Sequence, residues 1–264
     1  MRKTIGKLFL ILMLLVIYAP ILILAVYSFT DSGNIGSIHG FSMQNYVTLF
    51  TKGELRDMIV GTVLLALVSS LLATIFGTMG AIGAFYSKKL AKNFINTANQ
   101  IPVVNADVVT GFSICVLLIV AFGMNKESYV PLLIGHVVLS APFVYLSVVP
   151  KLKQMDASLY EAAMDLGASP SMALRKVVIP QIMPGIVSGF ALAITLSLDD
   201  YFIASYTKPA TFNTISTYVV NATKGSQTEI KTALWALSTV IFLIVILAVL
   251  PLYYIPWNGY YKLG

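Results

Sequence analysis

The chain has 264 residues, of which 58% are apolar and 11% charged; its mean hydropathy is +0.85 and its net charge +6. Soluble domains carry about 25% charged residues, so this composition excludes a water-soluble globular protein and makes the bilayer the solvent for most of the chain. Cys115 is the only cysteine, which excludes an intrachain disulfide, and no GxxxxGK[ST] segment is present to hold a nucleotide phosphate.

Six apolar runs follow one another. The first, about 8–29, is preceded by Arg2, Lys3 and Lys7. It is about twenty residues long, contains Pro20 and has no small-residue cleavage site, so it is read as a retained helix. The segment Asp31–Asp57 is polar, and within it Phe41–Phe50 suggests a short amphipathic helix at the outer surface. The second span, about 59–86, carries Gly61, Gly77, Gly80 and Gly83 at spacings that let helix backbones approach closely in lipid. The third, about 98–122, contains Pro102 and Asp107; a short turn, Gly123–Tyr129, leads to the fourth, about 130–149. The fifth, about 185–206, contains Asp199 and Asp200. Lys208–Lys231 is a second polar outer segment, and the sixth span, about 233–255, is closed by an aromatic belt at Trp257, Tyr260 and Tyr261. His39 and His136 have no ligand-spaced partners, which argues against a metal site; His136 is placed to pair with a neighbouring helix.

Between the fourth and fifth spans the membrane character stops. Met155–Pro184 recovers charge and helical periodicity: Met155, Leu159, Ala162 and Leu166 form one stripe, and Ser158, Glu161 and Asp165 lie on another face. Asp156 is placed as an N-cap and Gly167 as a stop. Ser169 and Pro170 start a second short helix, with Arg175 and Lys176 toward its end and Pro180 and Pro184 punctuating the way to the next span.

Glu161-Ala162-Ala163, three residues, Gly167, nine residues, then Val177-Val178-Ile179-Pro180 resembles the signature loop of ABC-importer permeases, E-A-A, x3, G, x9, I-x-L-P. Val177 and Ile179 depart from it conservatively. The resemblance implies an all-α, type I importer permease fold of six spans in a single domain, 1–264, with a cytoplasmic coupling helix between spans 4 and 5. Glu161, Ala162, Ala163, Gly167 and Pro180 would then carry contact with an ATPase.

With the N-terminus inside, eleven Lys/Arg are cytoplasmic: Arg2, Lys3, Lys7, Lys88, Lys89, Lys92, Lys151, Lys153, Arg175, Lys176 and Lys262. The other six (Lys52, Arg56, Lys126, Lys208, Lys224 and Lys231) fall outside. That excess predicts both termini in the cytoplasm, and it puts the 155–184 loop there too.

Carboxylates inside a membrane cost about 2.5–3.5 kcal/mol each on insertion scales and usually face a bundle interior or a wet path. Asp199 and Asp200, as neighbours on a helix, are expected to point about 100° apart, so that one lines a path while the other meets a neighbour. The alternative is that they cap or hydrogen-bond a broken helix. Leu196-Ser197-Leu198-Asp199-Asp200-Tyr201 resembles the S-[ML]-D-D segment of the spermidine/putrescine permeases of this family, and Asn105-Ala106-Asp107-Val108-Val109 resembles their P-D-I-V segment. Within that system the chain looks most like the second permease subunit. The resemblance implies a polyamine path lined by Asp199, Asp200, Tyr201 and Asp107, with Phe202 and Tyr206 nearby as aromatic faces for an ammonium chain.

It also implies a bacterial inner-membrane location and no cofactor on this chain, with ATP and magnesium on the partner. The partners would be a homologous permease, two ATPase copies and an extracytoplasmic solute-binding protein. No enzymatic triad, metal set or nucleic-acid surface is in evidence. Two alternatives are an importer permease for another solute, such as ferric iron, and an ion-driven secondary transporter.

Overall fold

A computed structural model describes residues 2–30, 40–156, 158–224 and 228–254. Its helices in chain order are α1 (Arg2–Ser28), α2 (Gln44–Thr51), α3 (Gly53–Tyr86), α4 (Lys89–Val104), α5 (Asp107–Cys115), α6 (Tyr129–Gln154), α7 (Ser158–Asp165), α8 (Pro170–Ala173), α9 (Ile179–Asp199), α10 (Phe202–Thr207), α11 (Ile215–Lys224) and α12 (Thr228–Tyr254). Two π-helical stretches, Val116–Ala121 and Leu174–Val178, follow α5 and α8. Among the described residues four helical stretches are long and apolar enough to cross a membrane, and the bent pair of α4 and α5 makes up to five. Expectations for His39, Trp257, Tyr260, Tyr261 and residues 31–39 of the first polar segment fall outside the described residues.

The chain divides into two compact units, Met1–Ile59 with Tyr218–Leu247, and Val60–Thr217 with Ala248–Gly264. In the first, the end of α1 is tied to the start of α2. Asn45, buried, donates from Nδ2 to the carbonyls of Ser28 (3.1 Å) and Thr30 (3.0 Å), and Thr30 forms a bridge with Phe41. Satisfying two carbonyls beyond a helix end with one amide removes a desolvation penalty that burial would otherwise impose. The expected amphipathic helix at 41–50 is α2, displaced by a few residues. In the same unit Tyr27 and Trp235 meet edge to face at 5.5 Å.

The second unit is built on α6, of whose apolar window half is buried, the highest share of the four. Gly185 and Gly189, one turn apart on α9, lie against it. A Cβ on Gly185 would sit 2.9 Å from the Ser147 carbonyl and one on Gly189 3.0 Å from the Val144 Cα. On α3, Gly77 makes the same kind of approach, 2.7 Å from the Ala141 carbonyl, whereas Gly83 has open space. Without a hydrophobic drive between helices in lipid, such close backbone contact supplies dispersion that larger residues would prevent. Ala81, Val144, Tyr145, Val148, Leu152, Val178 and Ile182 form the buried cluster where α3, α6 and α9 meet.

Three expectations are corrected. The third span is not one helix: it breaks at Asn105–Ala106, where α4 and α5 diverge by 108°. Pro102 removes a donor near the end of α4, and Asn105 and Ala106 turn extended (ψ 149° and 135°). The fifth span does not continue to Tyr206: α9 ends at Asp199 and Asp200 is extended (ψ 123°). Nor is the helix begun at Pro170 separate from that span. It runs on to Asp199 as 30 continuous residues. The π turn at Leu174–Val178 lies just ahead of Pro180, and such bulges let a helix carry on past a residue with no N–H to give. The polar outer segment after Lys208 contains α11.

Candidate functional site

The two helix breaks lie in one place. α5 packs along α10, and the fit is close: a Cβ on Gly111 would meet the Ile203 Cα at 3.1 Å and its nitrogen at 3.2 Å. Ile203 is fully buried, and a Cβ on Gly135 of α6 would strike its Cγ2 at 2.6 Å. Irregular backbone at membrane depth is tolerated only where protein buries it or it lines a wet cavity. Two breaks side by side therefore mark the part of this unit least suited to lipid.

The three aspartates take different places there. Asp200 is 4% exposed. Its carboxylate accepts the N–H of Ile203 (3.3 Å) and of Ala204 (2.8 Å), which caps α10 and satisfies two donors at its start. Its Oδ2 also lies 3.7 Å from His136 Nε2. His136 is fully buried, and its Nδ1 is 2.8 Å from Ser197 Oγ, which is 3.0 Å from Ser69 Oγ. A polar chain thus runs from α3 through α9 and α6 to the α10 cap.

Asp199, next in sequence, is exposed and has no partner among the described residues. It sits in the last turn of α9, the negative end of the helix dipole, where a carboxylate is disfavoured and a cation is favoured. Nothing in the packing accounts for an acid at this end. Asp107 is exposed in the first turn of α5, the favourable end. The charges of Asp107 and Asp199 both bear on Asp200, so the three form one electronegative cluster. Tyr201 meets Phe202 edge to face at 5.3 Å, and Tyr206 meets Phe112 at 5.8 Å. The arrangement can hold a cation between carboxylates and ring faces.

The 155–184 loop is a second site. Asp156 Oδ1 accepts the Ser158 N–H (2.9 Å) and hydroxyl (2.8 Å), and these bonds hold its carboxyl below the usual carboxylate range. This cap is present above that range and is lost as pH falls through it. Gly167 has φ +89°, the left-handed conformation. The Gly167 N–H donates to the Met164 carbonyl (2.9 Å) and the Ala168 N–H to the Ala163 carbonyl (3.0 Å), a Schellman stop. Ser169 then caps the next helix, accepting the Met172 N–H at 3.3 Å, with Pro170 at its start. Glu161, Ala162 and Gly167 are exposed, Ala163 and Pro180 half-buried, and Leu166 is 90% exposed. The loop presents a short, stopped helix with apolar side chains outward.

The expected pairing of His136 with a neighbouring helix is found, at Ser197 of α9, but sequence reasoning did not name Asp200 as its second neighbour. A lone histidine in an apolar run was the only signal available.

The sequence pattern of the family described as "Binding-protein-dependent transport system inner membrane component" matches residues 77–255, well over half of the chain. The spermidine/putrescine transport system permease protein PotC of Escherichia coli K12 is 28% identical over 232 residues, 88% of this chain and 87% of that protein. The putrescine transport system permease protein PotI of the same organism is 31% identical over 231 residues, 85% and 81% of the two chains. Among solved structures, a bacterial ABC transporter involved in the import of the acidic polysaccharide alginate superimposes with TM-score 0.73 at 18% identity, covering 97% of this chain and 96% of the other. A complex of the alginate transporter with a pentasaccharide-bound periplasmic protein gives 0.70 at 17%, covering 93% and 92%.

Proposed function

This chain belongs to the family of inner-membrane components of binding-protein-dependent transport systems, and from that premise we propose that it is the permease subunit of an ATP-driven polyamine importer. The observation that carries the substrate class is Asp199: a carboxylate at the negative end of α9, exposed and without a partner among the described residues, whose charge acts with that of Asp107 on Asp200 and which Tyr201 and Phe202 follow in sequence. An ammonium leaving water loses hydration that a carboxylate must replace. A chain with several ammonium groups can use several acids at once, and its methylene stretches can lie on the rings. An oxyanion has no use for this set. The names of the relatives, which are spermidine and putrescine permeases, support the same class.

The finer reading follows from family membership. The chain is one permease domain over 1–264, with six spans in which α4 and α5 together make the third, α9 and α10 the fifth and α12 the sixth. Both termini and the 155–184 loop are cytoplasmic. A homologous permease completes the path on the other side of a pseudo-two-fold axis, and two copies of an ATPase, which carry ATP and magnesium, sit below. One of them grips α7 through Glu161, Ala162 and Ala163, with Gly167 setting the exit angle and Pro180 the start of the next span. A loaded binding protein docks outside. Closing of the ATPases draws the coupling helices together and opens the path outward, and hydrolysis resets it. Asp199, Asp107 and Tyr201 receive the polyamine, while Asp200 holds the bend in the path's wall.

Since the chain carries no nucleotide site, it is expected to move nothing when reconstituted alone. Labelled spermidine or putrescine should stay outside vesicles holding only this subunit, with or without an imposed sodium or proton gradient. Gradient-driven uptake by the subunit alone would replace this reading with a secondary transporter.

A further inference from the structure

α4 is inverted relative to a soluble helix. Asn96 and Asn99 turn toward α6: the Tyr145 hydroxyl donates to Asn96 Oδ1, and Asn99 Nδ2 donates to the Pro142 carbonyl at 3.3 Å. Leu90 and Phe94, on the other side, are 88% and 75% exposed. Ile95 of α4 packs on the core, but the large apolar side chains that the helix turns outward belong against lipid. At its basic end, between α3, α4 and α6, lies a small pocket of about 50 Å³. Ala84 and Phe85, Lys92 and Asn96, and Tyr145 and Lys153 line it.

This lining is selective in charge. It contains two ammonium groups and no carboxylate. Neither Lys92 nor Lys153 forms an ion pair among the described residues; Lys92 rests 5.6 Å over the Phe85 ring. Two ammonium groups without an ion pair among the described residues thus share this lining with the Asn96 amide and the Tyr145 hydroxyl. Two lysines converging on a small polar floor suit a phosphate, and apolar side chains beside it suit acyl chains.

We propose that this pocket binds the phosphate of an anionic phospholipid of the cytoplasmic leaflet. The side of the membrane rests on the orientation proposed above, because Lys153 is two residues from the start of the 155–184 loop. Basic pockets between spans on that side select anionic headgroups. The lipid's chains lie along the apolar side chains that α4 turns outward, and the headgroup ties α4 to the end of α6, next to the loop.

The test uses the purified complex of this chain with its partner subunits in phosphatidylcholine nanodiscs, to which phosphatidylglycerol or inorganic phosphate is added. Acetylation of Lys92 and Lys153, read by mass spectrometry, is expected to fall with phosphatidylglycerol and to stay unchanged with inorganic phosphate. A lysine near an anionic surface contributes about fivefold in binding, so Lys92→Gln with Lys153→Gln should weaken phosphatidylglycerol binding about 25-fold. Lys88→Gln with Lys89→Gln removes the same charge outside the pocket and should weaken binding clearly less than the pocket pair does. Equal weakening by both pairs would mean diffuse attraction, equal protection by inorganic phosphate would mean a soluble anion, and no protection by either would mean no site; each overturns the proposal. None of these outcomes bears on the transport reading, which gradient-driven uptake by the lone subunit would overturn.

Discussion

Asp199→Asn is expected to lower polyamine uptake about ten- to a hundredfold, with assembly and basal ATP hydrolysis intact. The substitution keeps shape and removes charge, so packing is held fixed. A hydrogen bond to a charged partner is worth about 1.5–3 kcal/mol, and about 1.4 kcal/mol is a tenfold change. Asp199 is exposed and has no hydrogen-bond or ion-pair partner among the described residues, so its loss leaves no buried group unsatisfied. Asp200→Ala separates the two acids. It strips the Ile203 and Ala204 N–H groups of their acceptor in a buried place and leaves His136 without its carboxylate. Losing such a cap costs about 0.5–2 kcal/mol, so the expected result is less folded protein. Asp200→Asn, which can still cap, should recover much of it. If Asp199→Asn reduced assembly and left the uptake of assembled protein unchanged, Asp199 would be structural and the path would lie elsewhere.

Gly167→Val is expected to leave the subunit in the membrane and to abolish substrate-stimulated ATP hydrolysis. At φ +89° a β-branched residue is strongly disfavoured, even though a Cβ there meets nothing within 4 Å. The strain is therefore in the backbone and cannot be relieved by repacking. To escape it the chain must leave the left-handed region, which breaks the bonds from Gly167 and Ala168 back to α7 and re-aims the helix. A shift of that kind moves an interface without unfolding a span. Glu161→Lys tests the same contact by charge at an exposed position. ATPase activity in the assembled transporter, with and without loaded binding protein, reads both; full stimulation in either variant removes this loop from coupling.

How much of this could be read beforehand depended on range. The caps and the turn of the 155–184 loop are local signals, carried by residues two to four positions apart. Asp156, Gly167, Ser169 and Pro170 stand in the structure where their chemistry put them. The long apolar runs were legible as well: among the described residues four are helices able to cross a membrane, and the bent third makes up to five. The breaks at Asn105–Ala106 and at Asp200 were not, because hydropathy passes straight through them. What fixes them is tertiary: Gly111 against Ile203, Gly135 against the same side chain, and a buried histidine from 64 positions away meeting Asp200. Pro102 and the adjacent aspartates were the available hints. Of the two readings of the acidic pair, one continuous helix or the capping of a broken one, Asp200 takes the second.

The central claim is that this chain moves a polycation by coupling to a partner's ATP hydrolysis. It is tested most directly by co-reconstituting the subunit with its homologous permease, the ATPase and the binding protein in proteoliposomes. Uptake of labelled spermidine and putrescine is then followed with ATP on the ATPase side. The account predicts uptake that needs ATP, needs the binding protein and falls with Asp199→Asn. ATP-dependent uptake of another solute, with polyamines neither transported nor stimulating hydrolysis, would contradict it.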